Sequence, residues 1–180
     1  MRNNTNDSFG NRAPILVLGL GNTLLGDDGI GAAVINQFLQ EQEEDLWEGQ
    51  ADFLDGGTQG LALLGPLSGR EAIIVVDAIR MGAPAGTTRT FSASEIFQMG
   101  ASRSGTSHEG NAGELLAFAK MLDELPGKVF IVGIEPKDTA TGFGLSDPVQ
   151  DALPGATIRV RELLAGLTSA LSPSPAFTPE

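Results

Sequence analysis

The sequence predicts an α/β fold: a three-layer αβα sandwich with about five mostly parallel strands and one antiparallel edge strand. Short, continuous apolar runs such as Ile15–Leu20 and 72–77 are typical of strands buried on both faces of a parallel sheet. Segments with helical spacing alternate with these runs along the chain. Such alternation places helices on both faces of one sheet.

Five segments have the composition and length of strands. In chain order they are Ile15–Leu20, 51–55, 72–77, 87–91 and Lys128–Ile134. The fourth alternates like a half-exposed strand and follows the short turn 82–86. A turn of that length cannot make a parallel crossover, so we expect this strand to lie antiparallel at the edge of the sheet.

About four helices are predicted between and after the strands. Over Ile30–Gln40 the apolar residues recur at helical spacing, and Asp27 or Asp28 is the expected N-cap. A short helix should follow residue 58, and another should span 114–122. The last helix should begin at 146–148, where a cap residue precedes proline, with a break expected at 154–155.

The chain has the length of one domain, and its ends differ in composition from the rest. Residues 1–12 are polar and rich in asparagine, and residues 168–180 are rich in serine and proline. We therefore expect two flexible tails around a single domain at 13–167. Inside this domain, 100–113 is a Gly/Ser-rich segment that contains His108, the only histidine.

The charge and cysteine content exclude several classes of protein. The net charge is −12, from 23 acidic and 11 basic residues, which disfavours nucleic-acid and anionic-membrane partners. The absence of cysteine excludes disulfides and cysteine-based zinc sites, and favours a cytoplasmic protein. No apolar run approaches the ~20 residues that span a bilayer, and the N-terminus has no hydrophobic signal core.

The glycine-rich turn after the first strand does not fit a nucleotide-binding loop. The dinucleotide motif GxGxxG needs glycine where Leu24 stands. Gly21 and Gly26 match the GxxxxG half of a phosphate loop, but Asp27 and Asp28 follow in place of Lys and Ser/Thr. Two carboxylates would repel the phosphate that such a loop holds.

Carboxylates at the ends of three predicted strands suggest a cation site. Asp27 and Asp28 follow the first strand, Asp55 ends the second and Asp77 ends the third. Because parallel strands end at one edge of a sheet, these side chains should share the edge where open α/β sheets bind ligands. Two of these carboxylates and His108 would form a two-carboxylate, one-imidazole site for nickel, zinc, copper or iron.

Simpler roles remain open for each of these residues. Asp27 and Asp28 could cap the following helix, and Asp55 before two glycines fits a turn. His108 could be a solvated loop residue. A Ser-His-Asp triad through Ser107 is disfavoured, because the chain has no G-x-S-x-G nucleophile elbow.

An ordered set of motifs resembles the hydrogenase maturation endopeptidases, which process the large subunit of NiFe hydrogenases. The motifs are GLGNTLLGDDGIG at 19–31, DGGT at 55–58, VVDAI at 75–79, His108 in its Gly/Ser segment, GIEP at 133–136 and LSDPV at 145–149. The resemblance spans about residues 15–167. It implies a cytoplasmic, aspartate-type peptide hydrolase.

The resemblance also implies which residues act and on what. Asp28, Asp77 and His108 would recognise nickel carried by the substrate rather than held by the protease, and some family members have Glu at the position of Asp28. Asp55 matches a further characteristic acid, which we count with them as catalytic. The expected partner is the hydrogenase large-subunit precursor, which would lose a C-terminal peptide after nickel insertion.

A second function remains open at this stage. The same Asp28, Asp77 and His108 set could belong to a non-catalytic metal-binding or chaperone protein that docks on the same precursor. In either case we expect a monomer without nucleic-acid or membrane partners.

Overall fold

Five strands form one mixed sheet in the computed structural model, which describes residues 12–41, 43–102 and 112–171. The strands are β1 (Ile15–Leu20), β2 (Ala51–Gly57), β3 (Ala72–Ala78), β4 (Thr88–Ser92) and β5 (Lys128–Ile134). Their order is β2-β1-β3-β5-β4, and all neighbours are parallel except β4, which runs antiparallel to β5. The predicted fold class and the antiparallel edge strand are therefore confirmed.

Helices cover both faces of this sheet. They are α1 (Ile30–Gln40), α2 (Leu64–Leu67), α3 (Ala93–Ser102), α4 (Ala112–Met121) and α5 (Asp147–Leu171). On one face, α1 and α5 pack on residues such as Val17 and Ile74. On the other face, α2, α3 and α4 pack on residues such as Leu18 and Ile73. Adjacent strand residues thus enter opposite cores, which is why the strands are apolar throughout.

Helix α3 was not predicted, and α4 begins earlier than expected, so both enter the predicted segment 100–113. Ser92 and Glu95 form a reciprocal cap at the start of α3: Ser92 N–H donates to Glu95 Oε2 at 2.8 Å, and Glu95 N–H donates to Ser92 Oγ at 3.3 Å. This S-x-x-E capping box was the signal in the sequence that could have located the helix.

Helix α5 is continuous, so the predicted break at 154–155 was wrong. Pro154 lies inside the helix and removes one backbone hydrogen bond, but Ala156, Val160 and Leu164 hold the following turns in the core. The helix ends at Leu171, beyond the predicted domain end at 167. Within the described ranges, no helix has both the length and the apolarity needed to cross a membrane.

Two glycines let the start of α1 approach the sheet very closely. A Cβ on Gly31 would lie 2.2 Å from Leu20 O and 2.6 Å from Val76 O, and a Cβ on Gly19 would lie 2.4 Å from Gly31 O. No side chain fits at either position. The contact fixes the turn before α1, which carries Asp28, against the ends of β1 and β3.

Candidate functional site

Asp77 lies at the carboxyl edge of the sheet and is almost fully buried. Its side chain comes from the penultimate residue of β3 and belongs to a residue only 3% exposed. Asp77 Oδ2 accepts a hydrogen bond of 2.9 Å from the N–H of Ala112, the first residue of α4. A helix N-terminus favours a negative charge, so α4 supports the ionised carboxylate.

Burial raises the pKa of Asp77 from 3.8 to about 7. The negative charge of Asp28 adds to this rise in the pKa, whereas the hydrogen bonds from the Ala112 and Ala78 N–H groups oppose it. The carboxyl group therefore changes its charge near neutral pH. A strongly shifted pKa at the end of a strand is a common property of functional sites.

Asp28 lies close enough to Asp77 for its charge to act on that carboxyl group. It is half-buried, and its Oδ2 accepts a 2.7 Å hydrogen bond from the N–H of Asn22. Asp28 also lines an open cavity of about 510 Å³, together with Leu61 and Glu114 among others. The structure thus places Asp28 on a space that can admit a ligand, and places the buried Asp77 within the electrostatic influence of Asp28.

Asp55, the third carboxylate predicted for the site, lies near the end of β2. Its side chain is exposed, and Oδ1 accepts a 3.0 Å hydrogen bond from the N–H of Gly57, two residues further on. This is the local bond of an aspartate in a turn. The residues that line the Asp28 cavity in the described part of the chain do not include Asp55. Its catalytic role stays a prediction.

His108 lies outside the described residues, as does Ser107. Among the residues that are described, no group of three or more His, Cys, Asp or Glu side chains could hold a metal ion. The described chain therefore supplies two of the three predicted ligands, Asp28 and Asp77. The third stays a prediction from the sequence.

The expected N-cap role of Asp27 or Asp28 was wrong. The residue at the N-cap of α1 is Gly29, and no side chain caps the helix there. Asp27, only 1% exposed, instead accepts four hydrogen bonds from a distant loop. Lys137 N–H (2.8 Å), Asp138 N–H (3.0 Å) and Ser146 Oγ (2.9 Å) donate to Oδ2, and Ser146 N–H (2.6 Å) donates to Oδ1.

A second buried acid supports the neighbouring loop in the same way. Glu135, directly after β5, accepts hydrogen bonds on Oε2 from the N–H groups of Met81 (2.7 Å) and Ala83 (3.1 Å). These residues belong to the connection from β3 to β4. The GIEP and LSDPV motifs thus contribute Glu135 and Ser146 to the framework of this edge. Each has a local indication in the sequence: Glu135 is an acid directly after a strand, and Ser146 is a cap residue directly before a helix.

Replacing Asp77 with asparagine should stabilise the protein at alkaline pH. Because the pKa of Asp77 is higher in the folded than in the unfolded chain, ionisation destabilises the fold as pH rises toward about 7, and the penalty is complete above it. Asparagine keeps an oxygen for Ala112 N–H and carries no charge. We expect Asp77→Asn to gain up to about 4 kcal/mol at pH 8 and progressively less toward pH 4.

Thermal unfolding at pH 8 and pH 5 measures this difference. Asp55→Asn, at an exposed position on the same edge, is the matched control and should leave the midpoint nearly unchanged. An Asp77→Asn protein less stable than wild type at pH 8 would contradict the buried-charge explanation.

Sequence comparisons point to one family. The family model described as hydrogenase maturation protease, HycI, matches residues 34–162. The chain is 30% identical to the hydrogenase 2 maturation protease of Escherichia coli over 155 residues, which cover 85% of this chain and 90% of that protein. It is 32% identical to the hydrogenase expression/formation protein HupD of Rhizobium leguminosarum over 143 residues, 79% of this chain and 69% of HupD.

Solved structures agree with the sequence comparisons. The fold is similar to the hydrogenase maturating endopeptidase HybD from E. coli, with a TM-score of 0.72, 28% identity, and coverage of 85% of this chain and 93% of HybD. It is also similar to a hydrogenase 2 maturation peptidase from a Thaumarchaeota archaeon, with a TM-score of 0.62, 30% identity, and coverage of 84% and 97%.

Proposed function

The chain belongs to the hydrogenase maturation protease family, and from this premise we propose that it is an endopeptidase acting on a NiFe hydrogenase large-subunit precursor. It removes a C-terminal peptide from that precursor after nickel has been inserted. The observation that carries the proposal is the pair Asp28 and Asp77 at the carboxyl edge of the sheet: Asp28 lines an open cavity, and its charge acts on the buried Asp77. The peptidase names of the relatives support the reaction type.

Asp28, Asp77 and His108 recognise the nickel, which arrives with the substrate. Two carboxylates and one imidazole form a donor set suited to this metal. Burial of Asp77, and to a smaller extent its repulsion from the charge of Asp28, makes the ionised carboxylate costly in the empty protein and raises its pKa. A divalent cation removes that repulsion, so the site favours a precursor that carries the metal over one that does not.

Binding of the nickel also positions the peptide. When the metal is anchored at Asp28 and Asp77, the backbone that follows it in the precursor is held beside the cavity. Holding the scissile bond in one geometry lowers the entropic part of the activation barrier. This positioning is a large part of what an enzyme contributes to hydrolysis. Selectivity for loaded precursor and cleavage at one bond then have a common origin.

The test compares nickel-loaded precursor with nickel-free precursor, each incubated with the protein and then analysed by intact-mass spectrometry. We expect a C-terminal peptide to be lost from the loaded precursor alone. Equal cleavage of both forms would contradict nickel recognition. Stable binding of the loaded precursor without any change in its mass would contradict the peptidase and identify the non-catalytic metal-binding or chaperone protein.

A further inference from the structure

Three exposed apolar residues lie on segments that meet near Asp28. Leu24 is 52% exposed, Leu61 is 52% exposed and Phe143 is 90% exposed; we call these three the apolar rim. Single exposed apolar residues are ordinary on protein surfaces. These three differ in their place in the fold: Leu61 lines the Asp28 cavity, Leu24 precedes the cavity-lining Leu25 in the turn before α1, and the backbone next to Phe143 is paired with that turn.

Backbone contacts connect the segments. The N–H of Gly142 donates to Leu24 O at 2.9 Å, and the N–H of Gly26 donates to Gly142 O at 3.0 Å, so the residue before Phe143 is paired with the turn that carries Leu24. Leu61 lines the cavity that Asp28 also lines. The apolar rim therefore lies on the cavity lining and on two segments that are hydrogen-bonded to each other next to it.

Phe143 stands on a loop that the structure holds firmly. The four hydrogen bonds that Asp27 accepts come from Lys137, Asp138 and Ser146, at the two ends of the segment that contains Phe143. Because the loop is held at both ends, less backbone conformational entropy is lost when a partner covers Phe143. Exposed aromatic side chains in such positions often contribute much of the affinity of an interface.

We propose that the apolar rim docks an apolar segment of the hydrogenase large-subunit precursor next to the bond that is cleaved. This inference rests on the proposed function, which places that precursor at Asp28. Charge complementarity favours the same occupant: Asp28 and Glu114 line the cavity, and these two acids complement the nickel that the proposed function assigns to the precursor. The apolar rim then covers neighbouring apolar polypeptide outside the cavity.

The experiment measures the dissociation constant of nickel-loaded precursor by biolayer interferometry for wild type, Phe143→Ser and Leu46→Ser. Leu46 is 70% exposed in the segment that leads into the start of β2, so it lies at the opposite edge of the sheet and is the matched control. We expect binding about tenfold weaker for Phe143→Ser, with Leu46→Ser within about twofold of wild type.

Binding by Phe143→Ser within twofold of wild type would overturn the docking surface, as would an equal loss in Leu46→Ser. Thermal unfolding of each variant shows that a weaker affinity does not come from a damaged fold. Cleavage by wild type, measured in parallel by mass, tests the proposed function separately. A wild type that binds through Phe143 without cleaving would refute the peptidase and leave the docking surface supported.

Discussion

Asp28→Ala should abolish cleavage of the nickel-loaded precursor while leaving the protein folded. The variant removes one of the two described carboxylates that we propose as nickel ligands. Loss of groups that merely support a metal ligand commonly costs 10–100-fold, so loss of a ligand should reduce the rate by more than ~100-fold. The measurement is the rate of precursor shortening, followed by mass at saturating precursor.

The fold should tolerate this substitution because two effects oppose each other. Alanine loses the hydrogen bond from Asn22 N–H, which costs about 1 kcal/mol, but it also removes the repulsion between Asp28 and Asp77. The thermal midpoint should therefore move by no more than about 2–4 °C.

Two further variants at this position separate charge from shape. Asp28→Asn keeps an acceptor for Asn22 and should be as inactive as alanine, whereas Asp28→Glu keeps the charge and should retain part of the activity. Full cleavage by Asp28→Asn would show that a negative charge at residue 28 is not required for the reaction.

The sequence predicted the parts of the fold that depend on local patterns. The bounds of β1, α1 and β5 agree with the predicted segments, because continuous apolar runs and a long helical period are features of neighbouring residues. The shared edge of Asp28 and Asp77 also followed from local information, since parallel strands must end on the same side.

Long-range contacts could not be predicted in the same way. Asp27 and Asp28 are adjacent and chemically identical, yet their partners differ, because Asp27 contacts residues 110–119 positions away in the chain. Nothing near Asp27 in the sequence specifies those partners. The N-cap prediction failed for this reason: a nearby helix start was the only partner that the local sequence offered.

Asp27→Ala should differ from Asp28→Ala, because its main effect should be a lower free energy of unfolding. A buried carboxylate with four hydrogen bonds joins the turn before α1 to the loop before α5, and alanine leaves those donors without their acceptor. Hydrogen bonds to a charged group contribute about 1.5–3 kcal/mol each, although part of this returns when water reaches the loop. We expect a loss of about 3 kcal/mol, or roughly 6–12 °C in the thermal midpoint.

The pH dependence identifies the ionised carboxylate as the cause of this loss. Burial alone would raise the pKa of Asp27, but hydrogen bonds from Ser146, Asp138 and Lys137 outweigh it and lower the pKa below its ordinary value of 3.8. The stabilisation is therefore fully present above pH 3.8 and is lost as pH falls through the lower folded value. Urea unfolding at pH 7 and pH 3 measures the difference between wild type and Asp27→Ala.

The difference in the free energy of unfolding should be large at pH 7 and smaller at pH 3. Asp27→Asn keeps one acceptor oxygen, so at pH 7 its free energy of unfolding should lie between those of wild type and Asp27→Ala. A difference that does not change with pH would mean that shape alone, and not charge, holds the loop.

Asp77 should show the reverse pH dependence, since its folded pKa of about 7 means that its ionisation destabilises the fold as pH rises. Two acids at one edge of the sheet thus have opposite effects on stability: Asp27 stabilises the framework when it is ionised, whereas the ionised Asp77 destabilises it.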